Sequence, residues 1–179
     1  MTMTETSEQV LVERKSRTAA FRIRPIAILL LPFVAVLYKV YVRQFIEQLA
    51  YLELPLLVVL YFSLMWRNQL AALFYGAGVG LLEDSLASHY IGLFGIAKTL
   101  AGYFAASVSL RFDVEHGAIR LIMVFFFFIF HNVFYWVMEQ ALIGVPRPFE
   151  PAQTFIVAGL NAAVSVPLFI LFDKMKERA

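Results

Sequence analysis

Long apolar runs separated by short polar stretches dominate the chain. Six of them approach the ~20 mostly apolar residues that cross a hydrocarbon core: 25–42, 49–66, 70–82, 91–110, 121–138 and 154–172. The connections are short and no internal repeat stands out, so the pattern predicts one all-α bundle of about six transmembrane helices over residues 25–173. A polar tail precedes it at 1–24 and a short one follows at 174–179. The first run is longer than the apolar core of about 7–15 residues in a signal peptide, and no Ala-x-Ala-like exit follows it, so it reads as an uncleaved first span. Glu53 and Pro55 stand near the outer end of the second run. The third run is short and glycine-rich, with Glu83 and Asp84 at its mouth, and the sixth carries a kink-forming Pro167.

Charge orients this pattern. With the N-terminus in the cytoplasm, Arg14, Lys15, Arg17, Arg22, Arg24, Arg67, Arg111, Arg120, Lys174, Lys176 and Arg178 fall inside, whereas Lys39, Arg43 and Arg147 fall outside. Positive charge gathers on cytoplasmic loops, and an even span count brings both basic termini to that side. Glu47, Glu53, Glu83, Asp84, Glu139 and Glu150 then fall outside. The expected location is a bacterial inner membrane, multi-pass.

Composition agrees with the pattern. The chain is 61% hydrophobic and 16% charged, against about 45–50% and about 25% in soluble domains. A net charge of +2 gives no footprint for nucleic acid. With no cysteine, disulfides, thiolate metal sites and thiol catalysis are excluded.

Small and polar residues inside the runs carry the candidate chemistry. Gly76 and Gly80 form a G-x-x-x-G pair that Ala72 extends by one turn. Small residues on one face let backbones approach in lipid, which supplies no hydrophobic drive between helices. That face serves either internal packing or docking of another membrane protein, and Gly92, Gly95 and Gly102 are read in the same role. Ala97, Ala101 and Ala105 continue the theme in the fourth run, and Ala158, Gly159, Ala162 and Ala163 in the sixth. The third, fourth and sixth spans are therefore expected to pack tightly together, leaving the Phe-rich fifth to face lipid or a partner. Lys98 lies mid-span, where a charge costs roughly 2.5–3.5 kcal/mol on insertion scales. It either snorkels outward or pairs with Glu83 or Asp84 across the third-to-fourth hairpin. His131, Asn132 and Asn161 read as interhelical hydrogen-bond groups. His89, His116 and His131 are too scattered for a metal site, and Ser85, Ser88 and Ser107 lack a His/Asp context for nucleophilic catalysis. No cofactor is expected.

Residues 78–106 read GVGLLEDSLASHYIGLFGIAKTLAGYFAA. This segment resembles the signature of the MreD family of rod-shape-determining bacterial membrane proteins: a Gly-Leu-x-x-Asp end of one span, a loop closing on Ile-Gly, then a span closing with Tyr. The matching positions are Gly80, Leu81, Asp84, Ile91, Gly92, Leu93, Gly95, Lys98, Gly102 and Tyr103. The likeness covers about 30 residues; Glu83 and the His89–Tyr90 loop depart from it, and the rest of the chain matches in pattern only. It implies a non-enzymatic member of the cell-elongation machinery, working beside MreC-like and MreB proteins, RodA and a penicillin-binding transpeptidase in peptidoglycan synthesis. It also implies a bundle similar to the S-component of vitamin transporters. The alternatives are a small-molecule-binding subunit of such a transporter, with a cavity built on Asp84, Lys98 and Asn161, and an intramembrane enzyme using Glu83, Asp84 and His131.

Overall fold

The computed structural model describes residues 22–23, 25–45, 51–87, 92–112, 114, 116–144 and 148–177. Among them, six helices follow one another: α1 (Pro25–Phe45), α2 (Leu54–Trp66), α3 (Gln69–Leu86), α4 (Leu93–Ser109), α5 (Gly117–Met138) and α6 (Pro151–Asp173). The one extended pairing among the described residues is a two-residue antiparallel contact of β1 (Arg22–Ile23) with β2 (Lys176–Glu177), which brings both ends of the described chain to one end of the bundle.

Local chemistry sets the boundaries. Pro55 sits in the first turn of α2, where its missing N–H breaks no helical bond. The helix therefore starts later than the apolar pattern suggests. Arg67, at φ 51°, ends it in the left-handed region. The next residue but one begins α3, and the Asn68 carboxamide oxygen accepts from the N–H groups of Leu70 and Ala71. The last turn of α5 widens into a π-helical segment, Glu139–Ile143, closed by Gly144 at φ 71°. The last helix runs on through Pro167 to Asp173.

α2 is the axis. It is apolar on all sides, as a helix must be when neighbours surround it, and every residue from Pro55 to Leu64 is buried. Each of the other five helices touches it. At 13 residues it is ~20 Å long, short of a ~30 Å hydrocarbon core. By length and composition, two helical stretches can cross a membrane, Gly117–Ile143 and Pro151–Asp173. Around the axis α3 packs most extensively on α4, and α5 on α6. The outside is strongly apolar: Leu29 is 76% exposed, and Ile26, Phe74 and Ile156 are each 73% exposed.

Two sequence expectations are corrected here. α6 packs chiefly along α5 and touches α2, rather than completing a cluster with α3 and α4. The phenylalanine wall also does not face outward as a unit. Phe126 is 60% exposed, but Phe127 and Phe128 are each 1% exposed and belong to the core. Neighbouring residues on a 3.6-residue helix point about 100° apart, so a run of like residues covers several faces.

Candidate functional site: a buried ion network and the cleft beside it

Four charged side chains from four parts of the chain meet at one end of the bundle. Lys39 of α1 donates to Glu53, which precedes α2, at 2.5 Å, and to Glu83 of α3 at 2.6 Å. The second carboxylate oxygen of Glu83 lies 2.8 Å from the Lys98 Nζ of α4. That last contact is off hydrogen-bond alignment, so its attraction is charge on charge. Glu83 and Lys98 have fully buried side chains; those of Lys39 and Glu53 are 11% and 14% exposed. Two cations and two anions leave the group neutral, the condition under which buried charge is tolerated.

An aromatic plate completes the group. The Phe94 ring lies 4.5 Å from the Lys39 ammonium and 4.4 Å from that of Lys98, within cation–π range. Tyr135 of α5 stacks on Phe94 at 4.5 Å between centroids and His131 at 6.2 Å. His131 is buried, and among the described residues neither ring nitrogen has a hydrogen-bond partner.

The pairing of Lys98 is with Glu83 and not with Asp84. Adjacent helix positions diverge, and Asp84 turns to the start of α4 instead. Its carboxylate accepts from the backbone N–H groups of Gly92 (2.9 Å), Phe94 (3.1 Å) and Gly95 (3.0 Å). It thus satisfies donors that a helix N-terminus leaves open and sits where the helix dipole favours an anion. Gly92, at φ +103°, supplies a backbone conformation that side chains disfavour, with open space where a Cβ would stand. Its role is conformational, and the expectation of close helix packing at Gly92 is corrected there.

Gly76, Gly80, Gly95 and Gly102 do pack. A Cβ on Gly76 would lie 2.3 Å from the Lys98 carbonyl oxygen, one on Gly80 2.4 Å from that of Phe94, and one on Gly102 2.7 Å from that of Ala72. Gly95 faces the Leu81 side chain at 3.1 Å. The backbone-to-backbone approach of α3 and α4 is what carries Glu83 and Lys98 into contact.

Asn161 ties α6 to the segment before α2. Its Nδ2 donates to the Tyr51 carbonyl and its Oδ1 accepts from the Glu53 N–H, each at 2.9 Å. Asn132, by contrast, lines an open cleft of about 550 Å³. Its walls come from the α2 approach (Tyr51, Glu53), the end of α5 (Phe128, Tyr135, Trp136, Glu139) and the α6 start (Phe149, Glu150, Gln153, Thr154). Glu53 and Tyr135 belong to both cleft and network, so the two are contiguous.

Thus Glu83, Lys98 and His131 are brought together, while Asp84, Asn132 and Asn161 serve separate ends. Asp84, Lys98 and Asn161 do not line this cleft. Lys39 and Glu53 were missed as network members because each stands near the edge of an apolar run, where a charge reads as a loop residue. Their buried opposite numbers, Glu83 and Lys98, were the available signal. No protein-family model, no curated protein and no solved structure matches the chain.

Proposed function

We propose that the chain is a multi-pass inner-membrane scaffold of the MreD kind, with six spans and both termini in the cytoplasm. It binds an MreC-like membrane protein and, through it, the MreB, RodA and transpeptidase components that extend the cylindrical wall. One observation carries this reading: the residues of the resemblance coincide with the most tightly built part of the molecule. Gly80 and Gly102 allow the α3–α4 approach, Asp84 and Gly92 shape the turn into α4, and Lys98 closes the ion network. A signature explained by architecture suits a protein whose work is to hold a shape.

The way the candidate groups are used supports a non-enzymatic role. The carboxylates offered for catalysis, Glu83 and Asp84, are engaged by lysines and by backbone N–H groups. The pairing of Arg22–Ile23 with Lys176–Glu177 suits an even number of crossings. α2, though short, would cross as the sheathed centre of the bundle.

Depletion in a rod-shaped host should round the cells, and an elongation protein should co-purify with the tagged chain. Rods that stay rods, with no such protein recovered, refute the reading. Topology is tested by single cysteines at Ser7, Glu47, Ser88, Glu115, Pro151 and Glu177, the chain having no cysteine of its own. Impermeant reagent should reach Glu47, Ser88 and Pro151 alone; labelling at Glu115 contradicts six spans.

A further inference from the structure

His131 stands at the ion network without belonging to its balance of charge. The residue is 1% exposed, and the interhelical hydrogen bond expected of it is missing among the described residues, where neither ring nitrogen finds a partner. What holds the ring is stacking. It lies nearly parallel to Phe94, 7° apart in plane and 6.2 Å between centroids, and stacks on Tyr135 one turn further along α5 at 6.5 Å. Phe94 is the same plate that both ammonium groups approach, Lys39 at 4.5 Å and Lys98 at 4.4 Å. At this level the α4–α5 contact is closed by an aromatic stack with an ionisable ring at its edge.

Four neighbouring segments set the charge around this ring. α4 brings Lys98, α3 Glu83, α1 Lys39 and the approach to α2 Glu53. α2 itself holds no charged residue. α6 contributes Asn161, uncharged and spent on Tyr51 and Glu53. On the element of His131 itself, Tyr135 is a phenol, and Glu139 follows two turns on, about 12 Å along the axis. The two cations and two anions of the network cancel, and Glu83 already carries a lysine on each oxygen. A proton on His131 makes a third cation in a buried site, with no open oxygen on Glu83 to receive it. Like charges disfavour one another there, and an unmatched buried charge is costly.

We propose that His131 is a proton-sensitive latch between α4 and α5. Neutral, the ring completes the stack over the ion network and the bundle closes. Protonated, it adds a charge that Lys39 and Lys98 repel, and α5 is eased off the Phe94 plate. Tyr135 also lines the open cleft, which gives solvent protons a route to the neighbourhood of the ring. The latch goes beyond the scaffold reading and stands or falls without any elongation partner.

Three histidines occur in the chain, so His89→Gln with His116→Gln leaves His131 as the sole imidazole. Taking this protein in neutral detergent from about pH 7.5 to about pH 5.5 crosses the ordinary imidazole range near 6.5. Its melting temperature should fall by about 3–6 °C, the linkage expected when closing the bundle releases one proton. Adding His131→Phe keeps a ring in the stack and should remove that fall. At the lower pH, amides around Tyr135 should exchange more slowly in the Phe variant than in its parent. Lys98→Met reverses the sign of the effect: one lysine then faces two carboxylates, and a proton on His131 restores neutrality. In that background the fall that depends on His131 should vanish or become a gain. Equal pH dependence with and without His131 overturns the proposal, and an undiminished fall in the Lys98→Met background overturns its basis in charge balance. Where either variant fails to fold, histidine-selective nitrogen NMR spectra of the single-histidine protein decide. An imidazolium in a protein whose α5 amides stay protected overturns the latch, whereas a ring that is neutral whenever α5 is protected supports it.

Discussion

The α3–α4 and α5–α6 hairpins solve the same packing problem with different means. In the first, glycines bring backbones into contact, and a buried carboxylate joins α3 to α4 through Lys98 and to α1 through Lys39. In the second, long helices meet through side chains, and their ion pair, Arg120 with Asp173 at 2.6 Å, is 13% and 30% exposed. Close backbone approach leaves no room for adjustment, whereas side-chain contact does. The first hairpin should therefore be brittle and the second forgiving.

The sharpest way to break that comparison is to make one substitution in both. Gly80→Leu would drive a side chain into the Phe94 carbonyl and the Gly95 Cα, whereas a Cβ on Gly159 meets nothing within 4 Å. Gly80→Leu should abolish the monodisperse protein in detergent. Gly159→Leu should stay within about 0.5 kcal/mol of the parent, the usual range for a surface change. Equal chromatographic profiles for the two variants would end the argument.

Next in size is charge balance. Glu83→Gln leaves one carboxylate for two lysines, and Lys98→Met leaves one lysine for two carboxylates; a broken buried pair typically costs about 3–5 kcal/mol. The double variant keeps the Lys39–Glu53 pair and a neutral site, so its thermal stability should exceed that of either single variant. A double variant as weak as the sum of the singles would show the residues to be uncoupled.

Smaller still is the aromatic core of α5. Phe127→Ala removes a buried ring and should cost about 2 kcal/mol, below the range seen in soluble cores because lipid supplies no hydrophobic drive. Phe126→Ala on the exposed face should be silent in the same melting assay. The smallest effect belongs to the second hairpin's ion pair. Arg120→Gln should cost about 1 kcal/mol or less, given its access to solvent, although it also loses the bond to the Val114 carbonyl.

The helices themselves were readable because long apolar runs are a strong sequence signal. The boundaries of α2 and α5 were not, since a proline in a first turn and a π-helical extension act beyond hydropathy. Gly76 and Gly80 declared themselves by spacing, Gly102 through the resemblance, and Lys98 by being a charge in an apolar run. The choice of Glu83 over Asp84 as its partner is a matter of about 100° around one helix, which adjacency in sequence conceals. Phe127 was misjudged for the same reason. Lys39 and Glu53 needed the third dimension, because what joins them to the site is the fold of α1 onto the α2 approach.

The ion network also has an order in time. Its four charges leave the ribosome as Lys39, Glu53, Glu83 and Lys98, each on a different segment. The running sum is positive after the first, neutral after the second, negative after the third and neutral again once the fourth arrives. Glu53 can thus quench Lys39 as soon as α2 enters. Glu83 leaves the growing bundle short of one cation until α4 is made, an incentive to hold α3 and α4 back and admit them together as a hairpin. From Lys98 onward the four charges of the network are matched, and α5 and α6 can join a network that no longer seeks a counter-ion.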